Sequence, residues 1–187
     1  MPHLERMKEN LKKLGYPDEL IEKIIPATAK SEDPYDIIHA INQLDNLICP
    51  QQRLTVMEKE GCCKSGQRDK DCRNFGLLNK GKPLIDKVKG ISLIKNMGNP
   101  ILNDDGTITT GINWFEQGKF KCACPTVKKL KDNTSVPLTY CGCCAGHFLY
   151  HYQNMLGVKL RLKEIKSSPL TSHGELPCAF VFEVVYD

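Results

Sequence analysis

Tyr140 to Ile165 has the sequence YCGCCAGHFLYHYQNMLGVKLRLKEI, which predicts a helix followed directly by a strand. We expect the helix from about Ala145 to Leu156, with its apolar side chains on one face and Gly157 as its stop. From Val158 to Ile165 apolar and basic residues alternate, which is typical of a strand with one buried face. The stretch therefore predicts one long helix packed beside a sheet.

The rest of the second half also carries strand signals. Asn103-Asp104-Asp105-Gly106 lies between β-prone segments, and Asp-Gly in this setting favours a hairpin. Gln117-Gly118 predicts a second turn. The further strands are expected from Thr107 to Phe115, from Lys119 to Cys124 and from Ala179 to Val185.

The first half is expected to be helical, because its apolar residues recur at the spacing that lines one helix face. The expected helices are His3–Leu14, Pro17–Ile25, Pro34–Ile48, Pro50–Gly61 and Pro83–Met97, while residues 61–76 are expected to form a loop or a short helix. The order predicts an α+β fold: a helical N-terminal half followed by an antiparallel sheet with one long packed helix. We expect a helical region over residues 1–98 and an antiparallel ligand-binding region over residues 99–187, together forming one compact domain.

The composition is that of a globular protein. Of its 187 residues, 41% are hydrophobic and 26% are charged, which excludes a disordered chain. No run approaches the about 18 apolar residues of a membrane span, and the charged N-terminus has no secretory signal pattern. We therefore expect a cytoplasmic protein without a membrane partner. A formal net charge of +4, a single tryptophan and the lack of a recognised motif give no indication of nucleic-acid binding.

The 10 cysteines point to chemistry. The cytoplasm keeps thiols reduced, so clustered cysteines are expected to bind metal or to react. Cys122 and Cys124 form a C-x-C at the end of an expected strand, and Cys141 and Cys144 form a C-x-x-C. Residues 125–140 separate the two pairs, a spacing like that between the two halves of a four-thiolate zinc site. The expected zinc ligands are Cys122, Cys124, Cys141 and Cys144, with His147 as a further candidate.

The start of the long helix also fits a reactive thiol. Cys143 and Cys144 lie at or just before its N-terminus, where backbone N–H groups and the helix dipole stabilise a thiolate. His147 follows within about one turn, so either cysteine as nucleophile with His147 as base would make a small-molecule hydrolase. His151 and Asn154 continue the same stripe and are candidate pocket residues. A third interpretation is a redox sensor in which paired thiols form a reversible disulfide.

Cys62, Cys63 and Cys72 form a second group, in the helical half. They could complete a metal site, line a pocket, act as redox thiols or simply be buried, since free cysteine packs as a small apolar residue. We expect Cys49, which precedes a proline, and Cys178, on the last strand, to have packing roles.

Residues from about 119 to 186 resemble vinyl-reductase-type small-ligand-binding domains. The shared features are a Gly-containing helix after a cysteine or aromatic residue, the Leu156-Gly157 pair before a strand, and a closing strand with Gly174, Cys178 and Phe180. The chain is also similar to 2-amino-thiazoline-4-carboxylic acid hydrolase-like clostridial proteins, through its CACP, YCGC and G-x-x-x-C-x-F elements. This resemblance implies an α+β domain, often a homodimer, that encloses a pocket for a small molecule.

These observations lead to one first hypothesis and two alternatives. The first is a cytoplasmic, cysteine-rich protein that binds zinc and a small molecule, with no nucleotide cofactor. The second is a hydrolase of a cyclic amide or thiazoline that uses a cysteine nucleophile and a neighbouring histidine. The third and weaker one is the thiol redox sensor, and whether the protein is an enzyme stays open.

Overall fold

The computed structural model of the protein describes residues 3–61, 64–131 and 134–186. Helices occupy the first half, an antiparallel sheet comes later and the last helix packs on that sheet, so the α+β prediction is confirmed. The helices are α1 (His3–Lys13), α2 (Asp18–Ile24), α3 (Pro34–Leu47), α4 (Pro50–Lys59), α5 (Gln67–Leu78), α6 (Leu84–Ser92) and α7 (Gly142–Leu156). The strands are β1 (Ile101–Leu102), β2 (Ile108–Ile112), β3 (Phe115–Glu116), β4 (Lys119–Phe120), β5 (Lys159–Ser167) and β6 (Cys178–Val185).

The N-terminal helices begin and end close to the predicted residues. α3 begins at Pro34, and the side chain of Asp33 accepts hydrogen bonds from the backbone N–H groups of Tyr35 and Asp36. α6 ends at Ser92, several residues before the predicted end at Met97.

The helix α5 differs most from the prediction. It is a full helix of 12 residues where a loop or short helix was expected. Only Cys72 is buried in it, so its sequence lacks the apolar periodicity that reveals a helix. Tertiary packing stabilises α5 instead, because the lack of a side chain at Gly76 lets the α5 backbone contact the backbone of Asn154 in α7.

The main sheet has the strand order β1-β2-β6-β5, with every pair antiparallel. β1 and β2 form the predicted hairpin, and β3 and β4 form a separate two-stranded ribbon around the predicted second turn. The strand predicted over residues 107–115 ends at Ile112, and the one predicted over residues 119–124 ends at Phe120. Cys122 and Cys124 therefore lie beyond the ribbon, in an irregular segment.

The long helix α7 follows a 3₁₀ turn over Leu138–Cys141 and ends at Gly157, whose φ is 68°. Glycine adopts this left-handed conformation without the steric cost of a side chain. Tyr152 is fully buried, and its hydroxyl bonds to Thr110 Oγ1 at 2.7 Å and to the carbonyl of Met97. These bonds attach α7 to β2 and to the segment before β1.

The buried side chains form two core clusters. One joins the sheet and α7 with Cys72, Val88 and Ile91 of α5 and α6, and the other joins α1, α2 and α3 with side chains of α4 and Tyr140. The later helices of the N-terminal region thus share a core with the sheet. None of the helices in the described part of the chain is long and apolar enough to cross a membrane.

Candidate functional site

A cleft of about 840 Å³ lies at the N-terminal end of α7. Its walls come from the first two turns of α7 with the 3₁₀ turn before it, the segment before β1, the end of β2 with the residues after it, the irregular segment beyond β4, and the starts of α1 and α5. This volume lies within the range of small-molecule sites. The main lining side chains are His3, Arg68, Asn96, Asn99, Ile112, Asn113, Trp114, Cys124, Thr126, Tyr140, Cys143, Cys144, His147 and Phe148.

The start of α7 reaches the cleft because Gly61 and Gly146 let α7 approach the end of α4 closely. A Cβ atom on Gly146 would lie 2.7 Å from the carbonyl oxygen of Glu58 and 2.9 Å from the backbone nitrogen of Gly61. α7 begins three residues earlier than predicted, at Gly142, so Cys143 and Cys144 both lie in its first turn. The first turn is thereby fixed at the wall of the cleft.

Five cysteines gather beside this cleft, and we call them the thiol cluster: Cys122, Cys124, Cys141, Cys144 and Cys178. Burial raises the pKa of Cys144 well above its usual range, and charges on the other four thiols raise it further. Burial likewise raises the pKa of Cys178 to about 12, with added repulsion from Cys141, Cys122 and Cys124. The thiols are therefore close enough to interact electrostatically, although three separate chain segments supply them.

Cys178 is the member of the thiol cluster that the sequence did not predict. Alternation along the last strand assigned it to packing, and it is indeed 3% exposed. It joins the cluster through long-range contacts: β6 pairs with β2, and Phe120 donates its backbone N–H to the carbonyl of Gly174 at 2.9 Å. No local sequence signal reports a contact of that kind.

Polar neighbours hold two of the clustered thiols in place. Cys141 donates its S–H to Ser168 Oγ at 3.2 Å, and both residues are buried. Burial raises the pKa of Cys141 to about 12, whereas a hydrogen bond from the Ser168 hydroxyl to the thiolate form opposes the rise. The sulfur of Cys124 lies 3.1 Å from the hydroxyl of Tyr140, at the edge of the cleft.

The thiol cluster contains the donor type that zinc prefers, which is a thiolate sulfur. Within residues 3–61, 64–131 and 134–186, no three histidine, cysteine or acidic side chains stand at metal-ligand spacing. Cys122, Cys124, Cys141 and Cys178 each interact electrostatically with Cys144, which is a looser arrangement than direct ligation of one metal ion. A bound cation would stabilise thiolates against the burial that raises the pKa of Cys122, Cys141, Cys144 and Cys178.

His147, the other predicted ligand, faces the cleft together with Cys143 and Cys144. Its Nε2 lies 3.2 Å from Nη1 of Arg68, and an arginine can only donate, so Nε2 accepts this bond. The S–H of Cys143 donates to the carbonyl oxygen of Glu60 at 3.4 Å. The structure therefore brings the predicted nucleophiles and base into one cavity, while the pKa of Cys144 is raised by burial, opposite to the expectation from its helix position.

The other predicted pocket residues lie elsewhere or outside the description. His151 is fully buried behind His147, with ring centroids 4.6 Å apart, and Asn154 donates to the carbonyl of Tyr150. Cys72 is buried in the core around α7. Cys62 and Cys63 lie outside the described residues.

Several lining residues were missed at the sequence level, among them Arg68 and Trp114. Trp114 is the single tryptophan of the chain, and the Nζ of Lys128 lies 4.9 Å from the centre of its ring. Both missed residues belong to segments with no motif, and only the fold brings them to the start of α7.

Comparison with known proteins identifies no relative: no family model, curated protein or solved structure matches the chain. The resemblance to vinyl-reductase-type domains and to the hydrolase-like proteins therefore stays a prediction.

Proposed function

We propose that the protein binds a small molecule in the cleft and a zinc ion on the thiol cluster beside it. The observation that carries this proposal is the convergence of five thiols from three chain segments, two of which, Cys124 and Cys144, line a cleft of about 840 Å³. A reducing compartment such as the cytoplasm would keep these thiols available.

The cluster has one thiol more than the usual four ligands of zinc. Cys124 and Cys144 line the cleft as well as belonging to the cluster, whereas Cys122, Cys141 and Cys178 do not line it. An ion on these thiols would thus lie at the cleft wall, where zinc supplies a Lewis acid. The second core cluster and Ser168 support Cys124 and Cys141 from behind.

The cleft combines flat apolar surface with hydrogen-bonding groups. Trp114 and Phe148 supply aromatic rings, Asn96 and Asn113 supply amides, and Arg68 supplies a guanidinium held by His147. Small-molecule sites typically have this mixture of apolar area and a few polar groups that fix orientation.

Metal analysis of the purified protein tests the zinc half of the proposal. We expect about one zinc per chain after purification or reconstitution, retained through desalting. Cys141→Ser and Cys178→Ser should each lose most of the zinc, while Cys49→Ser should keep it, because Cys49 is exposed and precedes α4. Failure to take up zinc, or equal retention in all three variants, would contradict the assignment.

Fluorescence of the single tryptophan tests the small-molecule half. Because Trp114 forms part of the cleft wall, an occupant should change its emission. We expect some compounds of a fragment library to change the Trp114 emission saturably, and we expect Phe148→Ala to weaken their binding. Tyr186→Ala, at an exposed position that does not line the cleft, is the control and should leave their binding unchanged. If no fragment gives a saturable change, or if hits are insensitive to Phe148, the cleft is not the binding site.

A second candidate function is the thiol hydrolase, favoured by the shared position of Cys143 and His147 in the cleft. His147 would take the proton of Cys143, and the thiolate would add to the carbon of a cyclic amide or thiazoline. The ring bond from that carbon to nitrogen or sulfur would break as the leaving atom takes the proton from His147, and water would then hydrolyse the thioester or thioimidate and release the thiol. Cys143→Ala should abolish turnover of such substrates, and Cys72→Ala should not. Turnover that survives Cys143→Ala would exclude this mechanism.

A further inference from the structure

A second cavity, of about 400 Å³, lies where the end of α1, the end of α4, the middle of α7 and the start of β5 meet. It shares no lining residue with the cleft. Four lysines surround it, and we call it the lysine pocket: Lys13, Lys59, Lys64 and Lys159.

The charge of the lysine pocket is poorly balanced. Lys13 pairs with Glu9 at 3.7 Å, but no ion pair between described residues involves the other three lysines. Glu58 is the one acidic side chain among the lining residues of the described chain. Burial lowers the pKa of Lys64, and the positive charges of Arg6 and Lys59 lower it further, while the charge of Glu60, which does not line the pocket, opposes them. The pocket therefore holds an excess of positive charge.

Two hydrogen-bond acceptors on its wall are already engaged. Glu58 Oε1 accepts the backbone N–H of Leu162, and Gln153 Oε1 accepts that of Leu160 at 2.9 Å. The ammonium group of Lys64 donates to the carbonyl of Lys59 at 3.3 Å and lies 5.6 Å from the centre of the Tyr150 ring. Lysine ammonium groups carry three donors each, so donors to an incoming anion remain.

We propose that the lysine pocket binds a phosphate-bearing small molecule. Lysines act as point charges toward phosphate oxygens, and two or more anionic charges on one ligand would match the lysines that lack an ion pair. A concavity of about 400 Å³ holds a compact molecule, whereas a nucleic-acid backbone needs an extended basic surface.

Calorimetric titration with inorganic pyrophosphate at low ionic strength tests this proposal. The wild type should bind saturably, and Lys59→Gln/Lys64→Gln/Lys159→Gln should weaken binding by about thirtyfold or more. The matched control is Lys23→Gln/Lys80→Gln/Lys82→Gln, which removes the same net charge from exposed positions outside the pocket and should stay within about twofold of the wild type. Thermal unfolding of both triple variants verifies that they are folded.

A further variant tests whether removal of a negative charge from the lysine pocket strengthens pyrophosphate binding. Glu58→Gln keeps an oxygen for the Leu162 N–H and removes the single carboxylate, so it should tighten pyrophosphate binding several-fold. The proposal is overturned if pyrophosphate does not bind, if the control triple variant loses as much affinity as the pocket variant, or if Glu58→Gln weakens binding.

Discussion

At the scale of a single residue, two opposing effects act on the pKa of the Cys144 thiol. Its place in the first turn of α7 favours a thiolate, but a helix terminus contributes only about 0.3–1 kcal/mol, less than one pKa unit. Burial can shift a pKa by about 3–5 units. Desolvation therefore prevails, and the pKa of Cys144 is raised. The sequence predicts that Cys144 lies near the start of a helix, but it does not reveal that the tertiary structure buries this side chain.

Cys72 offers a direct test of the same effect outside the thiol cluster. It is 3% exposed, and burial raises its pKa to about 11. At pH 7 its thiolate fraction is then roughly 300-fold below that of an ordinary cysteine. We expect peptide mass spectrometry to show Cys72 unmodified after iodoacetamide has alkylated the exposed Cys49, and to show it modified as the pH approaches 11. Comparable rates at pH 7 would contradict the burial of Cys72.

Glu60 predicts a pH dependence of stability. It is 1% exposed, and its carboxylate takes hydrogen bonds from Arg6 Nε at 3.1 Å and Asn10 Nδ2 at 2.6 Å. Burial raises the pKa of Glu60, against the opposing effects of Asn10 and Arg6. A raised pKa in the folded state means that the folded protein binds the extra proton, so this contribution to stability is lost as the pH rises through that pKa.

The Glu60→Gln variant isolates this contribution. Urea unfolding at a series of pH values should show the wild type losing stability relative to Glu60→Gln as the pH rises above the usual glutamate range. Glu22→Gln, at an exposed position of α2, should leave the pH dependence as in the wild type. A stability difference that is constant with pH would show that Glu60 keeps an ordinary pKa.

At the scale of elements, apolar periodicity and turn residues predicted the helices and strands that local sequence specifies. The β1–β2 hairpin follows from Asp105-Gly106, and the end of α7 follows from Gly157. The helix α5 and the place of Cys178 were not predictable in this way. Contacts with α7 hold α5, and the pairing of β6 with the distant strand β2 places Cys178 opposite Ile112, which lines the cleft. The clustering of cysteines in the sequence predicted a site between Cys122 and Cys144, which stays a prediction, and only the fold revealed Cys178 and the cleft beside these residues.

The crossing of α4 and α7 predicts a strong effect of a small substitution. The Cβ of Gly146→Ala would meet backbone atoms of Glu58 and Gly61 at 2.7 Å and 2.9 Å, so the helices must separate. We expect a loss of about 1–3 kcal/mol in the free energy of unfolding by urea. Gly90→Ala is the matched control in α6: its Cβ would lie 3.1 Å from the Phe75 ring, which can move, and alanine favours the helix. Equal stability of the two variants would mean that α4 and α7 do not pack this closely.

At the scale of the whole molecule, the two core clusters are joined by shared residues. Met57 of α4 belongs to the core of α1–α3 and lies against Gly142 at the start of α7, while Leu170 packs against both cores. The boundary between residues 98 and 99 does not separate the cores, because α5 and α6 bury Cys72, Val88 and Ile91 together with the sheet. The cleft lies at this junction, so its shape depends on both halves of the chain.

This shared core predicts that residues 99–187 do not fold alone. The fragment would expose the side of α7 that packs against α4, α5 and α6, and it would leave the sheet core incomplete. We expect a fragment of residues 99–187 to give no cooperative thermal transition by circular dichroism and to show solvent-exposed emission of Trp114. Co-expression with residues 1–98 should restore both signals, because the missing helices supply the rest of the core. A cooperative transition in the isolated fragment would show instead that the sheet and α7 form an independent domain.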